Sequence, residues 1–152
     1  MRNAFYGVQF MAMVHQWVQP VTFGDCDPAG IVFYPNFFAW FDRTFHDWLR
    51  NYGGHAAICG SLDALGLGLM EVNAKFLAPL RDGDTLEIQL SIAAWDRKAL
   101  HLSYECQTRG RTAVIGQEVR GLFKTVPTGI MAAEMHEFKT YLENYGRPSE
   151  QD

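Results

Sequence analysis

From Tyr34 to Tyr52 the chain sets an aromatic residue every three or four positions: Phe37, Phe41, Phe45, Trp48 and Tyr52. That step is the helical period, and a β-strand could not bring these side chains to one face. Pro35 suits the first turn, where its missing N–H would go unpaired in any case. Gly53-Gly54 stops the run. Asn36, Arg43, His46, Asp47 and Arg50 gather on the opposite side. At about 100° per residue, Phe38 and Trp40 widen the apolar face to nearly half of the circumference. A helix so widely apolar needs broad cover, most simply from a sheet curled around it.

Other segments have the period such a sheet requires. Leu86, Ile88, Leu90 and Ile92 alternate with Glu87, Gln89 and Ser91. Leu100, Leu102, Tyr104 and Cys106 alternate with His101, Ser103, Glu105 and Gln107. Met70, Val72, Ala74 and Phe76 alternate with Glu71, Asn73 and Lys75. Period two with one wetter face predicts antiparallel strands. Turn residues Arg81-Asp82-Gly83-Asp84 and Arg109-Gly110 stand at the joints. A less regular strand is expected over Ala113 to Val126, and a first strand over residues 15 to 24, with Pro20 marking an edge or bulge. A second amphipathic helix is expected over Ala132 to Tyr145. The class is α+β with an antiparallel sheet, in the order strand, long helix, four strands, helix.

The chain has 152 residues, 48% of them hydrophobic and 20% charged, which suits one globular domain over 1–152 rather than disorder. Residues 1–12 read as an N-terminal extension and 147–152 as a flexible tail. The net charge of −4, with no block of like charge, argues against a nucleic-acid surface. No apolar run spans a bilayer, and the start lacks the pattern of a signal peptide. Cys26, Cys59 and Cys106 are odd in number and form no C-x-x-C pair. That argues against a disulfide framework or zinc site and fits a reducing cytoplasm. His15, His46, His55, His101 and His136 lack metal-ligand spacing, so no metal is expected.

Between the first strand and the helix runs Phe23-Gly24-Asp25-Cys26-Asp27-Pro28-Ala29-Gly30-Ile31-Val32-Phe33-Tyr34-Pro35-Asn36. It puts two carboxylates, Asp25 and Asp27, in a turn ahead of a helix start whose first N–H groups are unpaired. A carboxylate beside an oxyanion-stabilising helix end is what acyl transfer needs. An Asp before a helix is also a common cap, and from these two residues alone the cap is the favoured reading.

The whole string G-D-C-D-P-A-G-I-V-x-Y-P-N resembles the signature of the 4-hydroxybenzoyl-CoA thioesterase family. A weaker likeness continues through Trp40-Phe41-Asp42 and the strands, over most of residues 15 to 126. The resemblance implies a hotdog fold, an antiparallel β-sheet wrapped around one long central α-helix. It implies hydrolysis of acyl-CoA thioesters without metal or organic cofactor, in dimers or tetramers with active sites at the dimer interface. Asp27 matches the family's catalytic carboxylate, acting as nucleophile or as general base for water. The backbone amide that polarises the thioester carbonyl falls at Tyr34. Asp25 is then a turn former.

Asp42 is either a polar group at the far end of the acyl pocket, as the resemblance implies, or an exposed residue paired with His46 at i,i+4. Gly66-Leu67-Gly68-Leu69-Met70 would shape the acyl pocket. Arg97 and Lys98, in the turn Trp95-Asp96-Arg97-Lys98, match a basic turn at the nucleotide end of CoA. Arg109, Arg111, Arg120 and Lys124 are further candidates there, each also readable as a solvated surface charge. Cys26 reads as a packing residue. The expected activity is hydrolysis of an aromatic or short-to-medium acyl-CoA. The alternatives are a thioesterase of the Tol–Pal-associated type and a non-catalytic acyl-CoA-binding hotdog protein.

Overall fold

The aromatic segment folds as the long helix α1, Pro35–Arg50, and Gly53 and Gly54 follow it with positive φ. The computed structural model describes residues 11–148. Residues 1–10 of the expected extension and 149–152 of the expected tail lie outside the described range. The other elements in chain order are β1 (Met13–Pro20), α2 (His55–Leu62), β2 (Gly66–Phe76), β3 (Thr85–Trp95), β4 (Leu100–Thr108), β5 (Arg111–Val126), β6 (Gly129–Ala132) and α3 (His136–Asn144). The strands form one antiparallel sheet in the order β1-β3-β4-β5-β2, with β6 continuing beside β5. It curls around α1, the hotdog arrangement that the resemblance implied.

The core lies where α1 meets the sheet. Phe41, Phe45 and Leu49 of α1 are fully buried, as are Leu86, Ile88, Leu90, Leu100 and Tyr104 of β3 and β4. Phe41 stacks on Tyr104 with ring centroids 4.5 Å apart. Gly116 lies opposite Tyr104 in β5. A Cβ on Gly116 would overlap the Phe41 ring, so its bare backbone lets the helix approach the sheet.

Several expected boundaries move. The first strand ends at Pro20 rather than continuing to residue 24. The chain turns there into a short 3-10 segment, Phe23–Asp25, held by the Asp25 carboxylate. Pro20 does stand at the end of an edge strand, where its missing N–H is harmless. The last helix is shorter than expected, and α2 and β6 were not expected. The eight residues of α2 are too few to establish an apolar period. In β2 the alternation breaks at a register shift between Leu69 and Glu71. Met70, expected inside, sits at this shift and is about half exposed, whereas Phe76 keeps the inner face, its ring centroid 5.4 Å from that of Phe37, and is half exposed because β2 is the sheet edge.

Candidate active site

The loop between β1 and α1 is tied to itself and to the helix start. Asp25 accepts hydrogen bonds from the Thr22 N–H at 2.9 Å and the Thr22 hydroxyl at 3.0 Å, the turn-forming role expected of it. Its carbonyl accepts from the Phe33 N–H at 2.9 Å and from Asn36 Nδ2 at 2.8 Å. The Asp27 N–H donates to the Ile31 carbonyl, and the Gly30 N–H donates to the Asp27 carbonyl, each at 2.9 Å. Gly30 closes this turn at φ +78°, a conformation that strains residues with a Cβ. Cys26 and Val32 pair as an isolated bridge below it.

These ties leave one oxygen of Asp27 available. Oδ1 accepts from the Ala29 N–H at 2.8 Å, whereas Oδ2 carries no hydrogen bond from the described residues. The carboxylate borders a cleft of about 350 Å³, whose walls include Tyr34, Phe37, Phe76, Leu77 and Leu80. Leu80 is pinned to the loop because its carbonyl accepts the Val32 N–H at 2.9 Å. Tyr34 is the residue before the first turn of α1. Its N–H has no acceptor among the described residues, so an unpaired donor at the positive end of a helix stands on the rim that holds Asp27. The cleft therefore combines apolar walls, a free carboxylate oxygen and a free amide. Such a set can hold an acyl group and polarise its carbonyl beside a nucleophile or base.

Asp42 lies outside this cleft, seven residues along α1 from Pro35, or about 10 Å along the axis. Its Oδ1 accepts from Arg120 Nη2 at 2.9 Å and lies 3.4 Å from His46 Nε2. The i,i+4 pairing expected from the sequence is present, and it is joined by a buried cation. The His46 hydrogen bond, against opposing burial and with Arg120 assisting, lowers the Asp42 carboxyl to about 2. Burial, aided by the charges of His46 and Arg120, holds His55 below the usual histidine range. Burial raises the neighbouring Cys59 thiol, which disfavours a thiolate there.

Arg120 was expected among the surface cations and is instead 2% exposed. Its Nε and Nη2 fork onto Glu118, itself 1% exposed, at 2.9 and 3.1 Å. Its guanidinium lies 4.0 Å from the centroid of the Phe45 ring. It is a buried cation bonded to its own chain and closed to a phosphate. The signal was in the sequence: Glu118 and Arg120 share the inward-facing parity of Val114, Gly116 and Leu122 in β5, where charge needs a partner. Lys124 and Arg109 are also committed, to Glu137 at 2.7 Å and Asp84 at 2.9 Å.

Arg97 and Lys98 occupy the turn after β3, where Arg97 Nη1 lies 3.4 Å from Glu134 Oε1. Pro20 pairs with Thr85, so the Asp27 loop leaves the sheet at the opposite end of β3. Eleven residues of strand, roughly 35 Å, separate those ends in one protomer. The structure thus brings Asp27 and Tyr34 together but does not bring Asp42, Arg97 or Lys98 to their cleft. Within the protomer the cleft wall comes from Phe76 to Leu80, whereas Gly66–Leu69 lie toward the other end of β2 and pair with β5 residues 120–123.

Residues 21–137 match the model of the thioesterase-like superfamily. The 4-hydroxybenzoyl-CoA thioesterase of Pseudomonas sp. (strain CBS-3) is 32% identical over 83 residues, covering 53% of this chain and 59% of that protein. Its solved structure superposes with a TM-score of 0.73 at 27% identity, over 87% of this chain and 99% of that one. A 1,4-dihydroxy-2-naphthoyl-CoA hydrolase of Prochlorococcus marinus (strain MIT 9515) is 31% identical over 84 residues, covering 50% of this chain and 56% of that protein. The sequence match therefore spans less than two thirds of either curated relative. A solved gentisyl-coenzyme A thioesterase gives a TM-score of 0.67 at 28% identity, over 85% of this chain and 99% of its own.

Proposed function

Because the chain belongs to the thioesterase-like superfamily, we propose that it hydrolyses acyl-CoA thioesters, with hydroxylated aromatic acyl groups as the favoured class. The observation that carries this reading is the free Oδ2 of Asp27 and the free Tyr34 amide on the rim of one apolar cleft. The relatives named above act on 4-hydroxybenzoyl, dihydroxynaphthoyl and gentisyl thioesters, all hydroxylated aromatics.

In the proposed reaction the acyl carbonyl accepts the Tyr34 N–H, which stabilises the oxygen as it becomes negative. Asp27 Oδ2 attacks the carbonyl carbon, the C–S bond breaks, and the CoA thiolate leaves with the electron pair. Water then opens the mixed anhydride, releasing the acid and restoring the carboxylate. In the general-base variant Asp27 takes the proton of an attacking water, and no anhydride forms. Neither route calls for a metal or organic cofactor.

The site is proposed to be completed by a second copy of the chain. The outer edge of β2 is an exposed strand edge bearing Leu69, Met70 and Phe76. Antiparallel pairing of this edge about the middle of β2 would set one copy's Gly66 end beside the other copy's Phe76. The cleft would then gain Gly66–Met70 and Asp42 across the interface, and the partner's Arg97-Lys98 turn would approach the nucleotide end of CoA. In this arrangement Asp42 serves as the polar end of the acyl pocket.

The described residues are read as one domain. A cytoplasmic location is proposed from the scattered cysteines, and no helix among the described residues is long and apolar enough to cross a membrane. The test is thiol release across a panel of aromatic, short-chain and fatty acyl-CoAs. Fastest turnover on hydroxylated aromatics supports the reading. A preference for short or fatty acyl groups would favour the Tol–Pal-associated type, and binding without turnover would make the chain an acyl-CoA-binding module.

A further inference from the structure

Asp42 belongs to a connected set of charged groups reaching from the interior to the surface. Arg120 stands at its centre. The Nε and Nη2 fork engages Glu118, Nη1 donates to the Leu67 carbonyl at 3.3 Å, and the second Nη2 hydrogen reaches Asp42 Oδ1 at 2.9 Å. Glu118 Oε2 also accepts the Tyr104 hydroxyl at 2.7 Å. Phe45 supports the guanidinium plane from below.

Glu118 alone would neutralise this buried cation, and Tyr104 further satisfies Glu118. The bond to Asp42 therefore exceeds what burial of Arg120 requires. Asp42 itself is 56% exposed, an exposure at which an ordinary carboxylate would swing freely. Here one oxygen is tied to an immobile donor, while Oδ2 carries no hydrogen bond from the described residues. A carboxylate with one fixed and one open oxygen can accept a hydrogen bond from a ligand hydroxyl at a set position.

We propose that Arg120 is a positioning residue for substrate selection: it holds the carboxylate of Asp42, the polar end of the acyl pocket, in one orientation. This rests on the reading of Asp42 given under Proposed function. The chemistry sets a clear contrast. A site built around a fixed acceptor rejects the analogue that lacks the hydroxyl, because the acceptor is then left without a partner. Arg120 touches neither substrate nor reacting atoms, so its effect should follow the hydroxyl rather than the thioester.

The experiment measures kcat/KM for 4-hydroxybenzoyl-CoA and benzoyl-CoA in wild type, Asp42→Asn, Arg120→Lys and Glu118→Gln, with folding checked by circular dichroism. Wild type is expected to prefer the hydroxylated substrate at least about 10-fold, and Asp42→Asn to remove most of that preference. Folded Arg120→Lys should lower the ratio by about 10-fold through KM for the hydroxylated substrate, since a lysine cannot fork onto Glu118 and reach Asp42 together. If Arg120→Lys does not fold, Glu118→Gln decides by the same ratio, because it loosens the fork while keeping its shape. A wild type without preference, or Asp42→Asn with the preference intact, would refute the reading of Asp42 itself. Loss in Asp42→Asn beside retention in the deciding Arg120 or Glu118 variant would refute the role of Arg120 alone. Equal losses on both substrates would reduce Arg120 to a structural residue.

Discussion

At the scale of single residues, the chain treats its carboxylates differently, and local donors make the difference. Asp25 is consumed by Thr22, Asp27 keeps one oxygen open, and Asp42 is held by His46 and Arg120. The last has a pH signature. A carboxyl lowered from 3.8 to about 2 stabilises the fold above the unfolded value, and that stabilisation is lost as pH falls from 3.8 through about 2. Acid titration of stability should therefore be shallower in Asp42→Asn than in wild type over that window. Parallel curves would show that Asp42 gains no stabilisation from its partners. Asp25 and Asp27 were legible in the sequence because a long motif surrounds them. The Asp42–Arg120 pair was not, because its partners lie 78 positions apart and meet only when β5 passes beneath α1.

At the scale of elements, α1 and the strands β2, β3 and β4 were readable because each repeats its period over enough residues, and β5 was located despite a less regular pattern. The short elements α2 and β6 gave no such repeat. The exposure of Met70 follows from a bulge in β2, which no alternation pattern announces before the register is known. Helix and sheet approach closely at Gly116, beneath Phe41. Gly116→Ala should therefore destabilise the protein by about 1–3 kcal/mol, because the added methyl pushes Phe41 off Tyr104. Denaturant unfolding measures this directly. An unchanged midpoint would mean that the helix can ride outward without cost.

At the scale of the whole molecule, the position of the basic turn would decide how CoA is held in the proposed reaction. Arg97 and Lys98 stand at the far end of β3 from the Asp27 loop, and the proposed second copy is what would bring both to one substrate. The sequence gives their residue types but not this separation, which appears only with the register of β1 on β3. If the partner supplies the turn, Asp27→Asn and an Arg97→Ala/Lys98→Ala double variant should complement each other. Re-associated from an equal mixture of dissociated chains, they should regain about a quarter of the wild-type sites, since half of the pairs are mixed and each holds one intact site. Activity no higher than the sum of the parents would place the nucleotide grip elsewhere.

Single-turnover thiol release by Asp27→Asn on the best acyl-CoA of the panel tests the proposed role of Asp27 Oδ2. The amide keeps the size of the side chain but can neither attack the carbonyl nor accept a proton from water. The expected result is a rate lower by about 10²–10⁴-fold with acyl-CoA binding retained. Release at the wild-type rate, with the substrate bound as before, would remove Asp27 from the reaction.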